Sequence, residues 1–449
     1  MISTRQELPV LKDAPTPASL DMPIDYQKLR HTRAARWLRG TLYKTLVGAK
    51  GWPMVFRAPA PDAGMPTGTS PHLYVHLPFC KQICPHCPYV KTRYEAQLHK
   101  TYGEALMQEL DTYLAQPERA QATSLYFGGG TPTETMDLIE ASIEKLRPLL
   151  TPDAEIGVEV HPQNATPELL GQLRALGVTR VSLGIETFRP DLLKKLARAY
   201  TPEQAEQAIR DAKAMGFECV DVNLIFSIPG QDEEETAEDA RRCLALGVDQ
   251  LSAYQLFTFV HTPIGKRVAH SNFQVYGDRP RLRAQKRFND TCLAAGLVRT
   301  SPWNFSRPGV APYSTVTHED YVGFGAGAGS KVGGVFWFNT FSVSEYAAQP
   351  HPRPALVLET SRRFERAHAL YWQLYCMHVT ATDSAREFPL LFWALRLTGM
   401  LRREGSTWRV TELGSVWMHR VQQLFSISYI DDLWDACQRE PWPEKVVLA

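Results

Sequence analysis

Three cysteines fall within eight residues: Cys80-Lys-Gln-Ile-Cys84-Pro-His-Cys87. Three thiolates on so short a loop point to a metal centre rather than a disulfide framework. They can hold three irons of a [4Fe–4S] cube and leave the fourth iron open to a small ligand. Such an open iron can chelate the amino and carboxylate groups of S-adenosylmethionine. Structural zinc is the other chemistry these thiols allow, with His76 or His86 as the fourth ligand. Zinc usually closes a loop between two separated ligand pairs, and the chain has no second pair, so the cluster is favoured. Cys219, Cys243, Cys292, Cys376 and Cys437 stand alone and read as small buried hydrophobes.

A second signal lies one strand later, in Gly128-Gly129-Gly130-Thr131-Pro132-Thr133. Three glycines let backbone amides approach a polar ligand head closely. A glycine run alone is often only a tight turn; its place after a cysteine triad makes it more specific.

Around these motifs the sequence alternates short β-rich runs with helical stretches. Strands are expected at 72–79, 124–127, 155–160, 180–185, 218–226 and 249–257, and helices near 94–115, 134–149, 166–176, 202–215 and 232–246. Thr166-Pro167-Glu168 and Thr201-Pro202-Glu203 combine an N-cap, a proline at the first helical position and an acid in the first turn. This order implies parallel strands with crossover helices. The expected fold class is α/β, a partial (β/α)6 TIM-type barrel with a C-terminal, mostly helical, winged-helix-like domain. A doubly wound sheet has the same periodicity; in both, the site lies at the C-terminal strand ends.

Four units are expected: an N-terminal arm with a basic amphipathic helix (1–71), the barrel (72–265), an extension with a glycine-rich segment at 323–334 (266–360), and a C-terminal lid (361–449). The lid reads as helix (388–402), Gly405-Ser406 turn, strand (407–411) and helix (412–425). The 449 residues, 44% of them hydrophobic and 22% charged, suffice for a large core. Forty-nine Lys and Arg against forty-eight Asp and Glu leave a net charge of +1, which argues against a surface built to coat nucleic acid. No run of 18 apolar residues is present to span a bilayer, and MISTRQELPV lacks the apolar core of a secretory signal, so a cytoplasmic location is expected.

With these residues in place, the chain resembles the radical S-adenosylmethionine enzymes, and more narrowly the family of the oxygen-independent coproporphyrinogen oxidase. The likeness rests on CxxxCxxC after YVHLPF, then GGGTPT, Glu159-Val-His-Pro162, SLGIETF at 182–188, Arg198 in LARAYTPEQ, LIFSIPGQ at 224–231 and GFGAGAGS at 323–330. The resemblance implies that Cys80, Cys84 and Cys87 ligate the cluster. It implies contacts to a first S-adenosylmethionine from Tyr74, Gly129, Gly130 and Thr131, with Glu159 and Arg198 holding its polar groups. It further implies that Glu186 and Asn223 line its ribose side, and that His86 takes the place of an aromatic residue packed against the cluster and a second S-adenosylmethionine. The segment around Gly327 and Gly329 corresponds to part of a pocket for a second molecule.

Three positions depart from that family. Tyr89 stands where the coproporphyrinogen oxidases carry a further cysteine, Glu186 replaces a glutamine, and Asn223 replaces an aspartate. The haem-chaperone branch carries a histidine-asparagine motif where this chain reads YSTVTHEDY at 313–321. The segment FGAGAGSKVGGVFWFN looks closest to the methyl-transferring members. The leading expectation is therefore a class C methyltransferase that uses two S-adenosylmethionine molecules to methylate an sp² carbon of a large planar substrate, an isoprenoid quinone (menaquinone) or a tetrapyrrole. The alternatives are a coproporphyrinogen III oxidase-like decarboxylase and a haem chaperone without turnover. A low-potential electron donor such as flavodoxin or ferredoxin is implied.

Residues 24–50 hold seven Lys and Arg against Asp25 alone. Such a helix suits peripheral contact with the inner membrane surface; packed on the barrel, it would only present solvated charge. Five arginines at 396–420 form no dense stripe, and nucleic acid is not an expected partner.

Overall fold

The structure, a computed structural model, describes residues 32–48, 51–60, 63–68, 70–116, 120–270, 275–311, 320–380, 386–421 and 427–448. Residues 24–31 of the expected basic helix and most of YSTVTHEDY lie outside them.

Six parallel strands stand side by side in chain order: β1 (His72–Leu77), β2 (Ala122–Gly129), β3 (Leu150–Val160), β4 (Arg180–Glu186), β5 (Cys219–Phe226) and β6 (Gln250–Gln255). Val75 lies opposite Phe127, Phe127 opposite Val158, and Val181 opposite Val220. Leu73, Val75, Phe127, Val158, Val181 and Val222 are completely buried, as expected of strands covered by crossover helices. The sheet is extended, not closed, by Val322–Phe324 beside β1 and by antiparallel Asn304–Ser306 and Val298–Arg299 beyond β6. This is a partial TIM-type barrel.

The crossover helices are α1 (Ala96–Leu114), α2 (Met136–Leu146), α3 (Pro167–Ala175), α4 (Pro202–Ala214) and α5 (Glu233–Ala245). Thr166 Oγ1 accepts from Leu169 N, while Thr201 with Gln204 and Asp232 with Glu235 form reciprocal capping boxes. Each such cap contributes about 0.5–2 kcal/mol and fixes where the helix leaves its strand end.

The region 266–360, which shows no rhythm in sequence, contains the helix Asp278–Ala294. Its Ala284, Phe288 and Cys292 are buried at four-residue spacing, a signal hidden among many charges. A second, five-stranded antiparallel sheet joins Gly329–Val332, Val335–Phe338, Leu356–Glu359, Met54–Arg57 and Lys445–Leu448. It thereby draws on the N-terminal arm, the extension and the C-terminus.

The C-terminal region is mostly helical, with Arg362–Tyr375, Pro389–Leu397, Glu412–Val421 and Ile427–Arg439 around a sheet of His378–Thr380, Thr407–Val410 and Leu401–Glu404. The expected helix at 388–402 ends at Leu397, because Gly399 turns the chain (φ 71°) and Leu401–Glu404 pairs as a strand. A separate small core of Leu370, Leu374, Val379, Phe388 and Val410 holds this part together.

Candidate iron–sulfur and nucleotide site

The cysteine loop leaves the end of β1 and is pinched shut where Phe79–Cys80 pairs with Thr92–Arg93. Its carbonyls are pinned from several sides. Lys91 Nζ donates to Cys87 O (2.8 Å) and Tyr89 O (3.0 Å), Ile264 N to Pro85 O (3.1 Å), and His261 Nε2 to Pro88 O (3.0 Å). Cys87 N donates to Cys84 O (3.3 Å), a turn that brings the second and third thiols together. Thr131 Oγ1 lies 3.8 Å from Cys80 Sγ.

Burial is the first cause that raises the pKa of all three thiols, Cys80 to about 12. Cys80 is raised further by Cys87 and Cys84, so the three would repel one another as thiolates. A trio of this kind, with Cys80 buried and Cys84 and Cys87 partly buried, is stable as thiolates only beside a strong local cation, which the irons of a cluster supply. Both ring nitrogens of His76 are engaged, Nδ1 by Tyr74 OH (2.9 Å) and Nε2 by Val90 O (2.8 Å), which removes it as a zinc ligand. Among the described residues no three His, Cys, Asp or Glu side chains converge closely enough to hold a single ion. Thiols of a cube each hold a different iron and need not converge so tightly. Burial, then Arg198 and Lys91, lower the His86 pKa to about 3, and its Nδ1 is buried without a partner.

The glycine turn at the end of β2 is fastened to this loop. Gly130 N donates to Leu77 O (2.9 Å) and Thr131 N to Phe79 O (2.8 Å). A Cβ on Gly130 would stand 2.6 Å from Pro78 C and 2.7 Å from Pro78 O, both backbone atoms. The turn therefore needs glycine for close packing, and these two amides are spent on protein rather than free to cradle a ligand. Gly129 N donates to Glu159 Oε2 (3.3 Å) and Tyr126 OH to Glu159 Oε1 (2.7 Å). Burial raises the Glu159 pKa, against these two hydrogen bonds. Tyr126, stacked on Tyr74 at 6.0 Å, was missed in the sequence; alternation along SLYFGGG places it on the same side as Gly128, toward Glu159.

Opposite the cysteines, β4 ends in a bulge that puts Glu186 at φ 62°. The strained backbone turns its carboxylate onto Arg198, and the pair is nearly buried (10% and 12% side-chain exposure). Burial works to lower the Arg198 pKa, but Glu186 and Cys84 outweigh it and the net shift is upward. Arg198 Nε is buried without a partner, a donor left over for a carboxylate ligand. Glu186 is thus the partner of Arg198 more than a free charge. On β5, Asn223 Nδ2 donates to Ser182 Oγ (2.7 Å), which donates to Asp221 Oδ2 (2.7 Å). That relay leaves the Asn223 carbonyl oxygen as the acceptor available to a hydroxyl. Tyr89 is 58% exposed as a whole, while burial of its hydroxyl, followed by Glu159, Cys87 and Glu186, raises its pKa.

The structure brings Tyr74, Cys80, Cys84, His86, Cys87, Tyr89, Gly129, Gly130, Thr131, Glu159, Glu186, Arg198 and Asn223 to one end of the sheet. Gly327 packs on Val90 of the cysteine loop, and Gly329 on Phe338 and Tyr321. Gly325 N donates to Glu109 Oε2, Ala326 N to Tyr102 OH and Gly327 N to Thr340 O. A Cβ on Gly327 would stand 2.4 Å from Val90 Cγ2. These glycines let the segment buttress the cysteine loop.

A thiol trio, an orphan guanidinium donor and a carboxylate at parallel strand ends suit a protein that binds a cluster and a small zwitterionic nucleotide. Residues 74–243 match the Radical SAM superfamily, whose members use a [4Fe–4S] cluster and S-adenosylmethionine. The chain is 31% identical over 311 residues to the haem chaperone HemW of Mycobacterium tuberculosis, covering 66% of this chain and 78% of that protein. It is 27% identical over 300 residues to the oxygen-independent coproporphyrinogen III oxidase of Pseudomonas aeruginosa, covering 61% and 64%. Its fold is similar to the solved structure of coproporphyrinogen III oxidase from Escherichia coli, with a TM-score of 0.65 and 22% identity over 79% of this chain and 91% of that one. The chain belongs to the family of the haem chaperone HemW and the oxygen-independent coproporphyrinogen oxidases.

These relatives correct the methyltransferase expectation. The relatives just described are named for haem and coproporphyrinogen, none of them for methyl transfer or for a quinone. The segment that suggested a methyltransferase, FGAGAGSKVGGVFWFN, has its Gly325, Ala326 and Gly327 amides bonded within the protein.

Proposed function

We propose that this chain is a tetrapyrrole-handling radical S-adenosylmethionine protein of the haem-chaperone type. The observation that carries the reading is its 31% identity to a haem chaperone, joined to Tyr89 at the place where coproporphyrinogen oxidases carry a further cysteine. Cys80, Cys84 and Cys87 hold the cluster. Arg198 Nε binds the carboxylate of S-adenosylmethionine, Glu159 its ammonium group and the Asn223 carbonyl oxygen a ribose hydroxyl, while Tyr74 and the Gly129–Thr131 turn wall the site. When bound, the cluster supplies an open iron and an electron. The protein's part is to align the nucleotide and keep water away.

Anaerobically reconstituted protein titrated with haem is expected to bind one equivalent without consuming S-adenosylmethionine. Failure to bind haem refutes the chaperone reading.

A second reading, oxidative decarboxylation of coproporphyrinogen III, is favoured by YSTVTHEDY standing in place of the chaperone histidine-asparagine motif. It predicts 5′-deoxyadenosine and loss of coproporphyrinogen III when a low-potential donor such as flavodoxin or ferredoxin is present.

Among the described residues no helix is long and apolar enough to cross a membrane. On the helix Arg33–Val47, Trp37 (71%) and Leu38 (55%) are exposed beside exposed Arg33, Arg36 and Lys44, which supports peripheral contact with an anionic surface. Its C-terminal end is docked, since Arg363 donates to Thr45 O and Leu46 O.

A further inference from the structure

Asp221, in the middle of β5, is buried at 2% exposure, and the partners of its carboxylate are neutral. Ser182 of β4 and Gln250 of β6 stand directly opposite it in the sheet. Ser182 Oγ donates to Oδ2 (2.7 Å) and Ser252 Oγ to Oδ1 (2.8 Å), while Gln250 and the Val222 backbone add further hydrogen bonds. Ser182, Gln250 and Ser252 are buried with it. Placing a carboxylate among neutral groups inside a sheet is costly, and a packed apolar side chain would avoid the cost. The charge therefore needs a reason.

The reason lies two residues on, at half-buried Asn223, whose side chain leaves the strand on the same face. A carboxamide has one accepting and one donating end, and nothing in Asn223 itself chooses which of them faces outward. The proton count at Asp221 makes that choice. An ionised carboxylate only accepts, so Ser182 must give its single hydroxyl proton to Oδ2. Ser182 Oγ is then left with lone pairs alone, and only the Nδ2 end of Asn223 can bond to it, as it does at 2.7 Å. The Asn223 carbonyl oxygen is thereby turned away from the relay. Without the carboxylate, Ser182 is free to donate to that oxygen, and the amide can present either end. Burial raises the Asp221 pKa to about 6, against the hydrogen bonds that lower it, which leaves the group charged at neutral pH.

We propose that Asp221 is a positioning residue: acting through Ser182, it holds the Asn223 amide with its oxygen outward, so that the site selects a nucleotide whose ribose hydroxyl donates a hydrogen bond. This rests on the S-adenosylmethionine reading of the site above and adds the group that sets its polarity. Ser252 supplies the comparison within the same cluster. Its hydroxyl also donates to Asp221, on the other oxygen, but the relay to Asn223 runs through Ser182.

The test uses full-length, cluster-reconstituted protein without reductant. Equilibrium dialysis compares its affinity for S-adenosylmethionine with that for the analogues lacking the 2′- or the 3′-hydroxyl of the ribose, and iron content is measured on the same preparations. The wild type is expected to bind at least one deoxy analogue roughly tenfold or more weaker than S-adenosylmethionine, because that analogue leaves the fixed acceptor unpaired. Asp221→Ala and Ser182→Ala are expected to bring the ratio down to about threefold or less, and Ser252→Ala to keep it within about twofold of wild type. A ratio that persists in Ser182→Ala, or that falls as far in Ser252→Ala, overturns the positioning role. A wild type that binds S-adenosylmethionine and both analogues alike also overturns it while leaving the nucleotide reading intact; a wild type that binds none of the three overturns the reading itself. If Asp221→Ala fails to fold or to take up iron, the two serine variants decide, since each deletes one buried hydroxyl on the same carboxylate and they differ in whether that hydroxyl reaches Asn223.

Discussion

Replacing Glu109 by alanine removes the acceptor around which the glycine-rich segment is built. Its carboxylate accepts from Gly325 N (2.8 Å) and Tyr346 OH (2.6 Å) on one oxygen and from Asn339 Nδ2 (2.7 Å) on the other, at 2% exposure. Asn339 keeps its bond to Gly325 O (2.9 Å), so the alanine variant leaves two buried donors bare. At about 1–3 kcal/mol each, the cost is about 4 kcal/mol, a large part of a typical domain's stability.

That cost varies with pH. Burial raises the Glu109 pKa from 4.5 to about 7, against the hydrogen bonds that lower it. Between those values the unfolded chain has released the proton and the folded chain has not, so wild-type stability falls as pH rises through this window. At about 1.4 kcal/mol per pH unit the loss is about 3 kcal/mol. The alanine variant lacks this slope. The stability gap should therefore narrow from about 4 kcal/mol near pH 4.5 to about 1 kcal/mol near pH 8. Urea unfolding of the cluster-free chain, followed by tryptophan fluorescence across that range, measures it. A gap that stays constant, or one that widens with pH, refutes the reasoning.

Three further outcomes are expected. Gly130→Ala forces its Cβ against the Pro78 backbone, two residues before the first cluster cysteine, and should cut iron incorporated on anaerobic reconstitution at least severalfold; normal iron content would show that the turn tolerates a side chain. Glu186→Gln leaves the Arg198 charge nearly buried without its partner and should destabilise by about 3–5 kcal/mol in denaturant, while weakening S-adenosylmethionine binding in equilibrium dialysis; unchanged values in both would remove the pair from the site. Trp37→Ala should lower the fraction that sediments with anionic vesicles, with no change on neutral ones; equal sedimentation of variant and wild type on anionic vesicles would remove the membrane contact.

Much of the barrel was legible because its signals are local. Proline-headed caps at Thr166 and Thr201, β-rich runs and the cysteine spacing each fit within a few residues. Glu109 was not legible, since its partners lie more than 200 positions away at Gly325, Asn339 and Tyr346. The glycine-rich segment was misread for a related reason. A glycine run serves a ligand or a tight packing contact equally well, and only what lies opposite, Val90 for Gly327, tells them apart. Glu186 looked like a change of charge beside a ribose, whereas the bulge that turns it onto Arg198 is a backbone feature that side-chain identity does not announce. The helix Asp278–Ala294 was hidden because its narrow apolar stripe is diluted by charges that pair with α5, such as Arg287 with Glu234.

The central claim is that Cys80, Cys84 and Cys87 hold a four-iron cube whose fourth iron takes S-adenosylmethionine. Electron paramagnetic resonance of the anaerobically reduced protein, recorded before and after adding S-adenosylmethionine, tests it most directly. A [4Fe–4S]⁺ signal that changes on addition, and is lost when any one of the three cysteines is replaced by alanine, is expected. A spectrum without such a cluster, or one indifferent to the nucleotide, would contradict it.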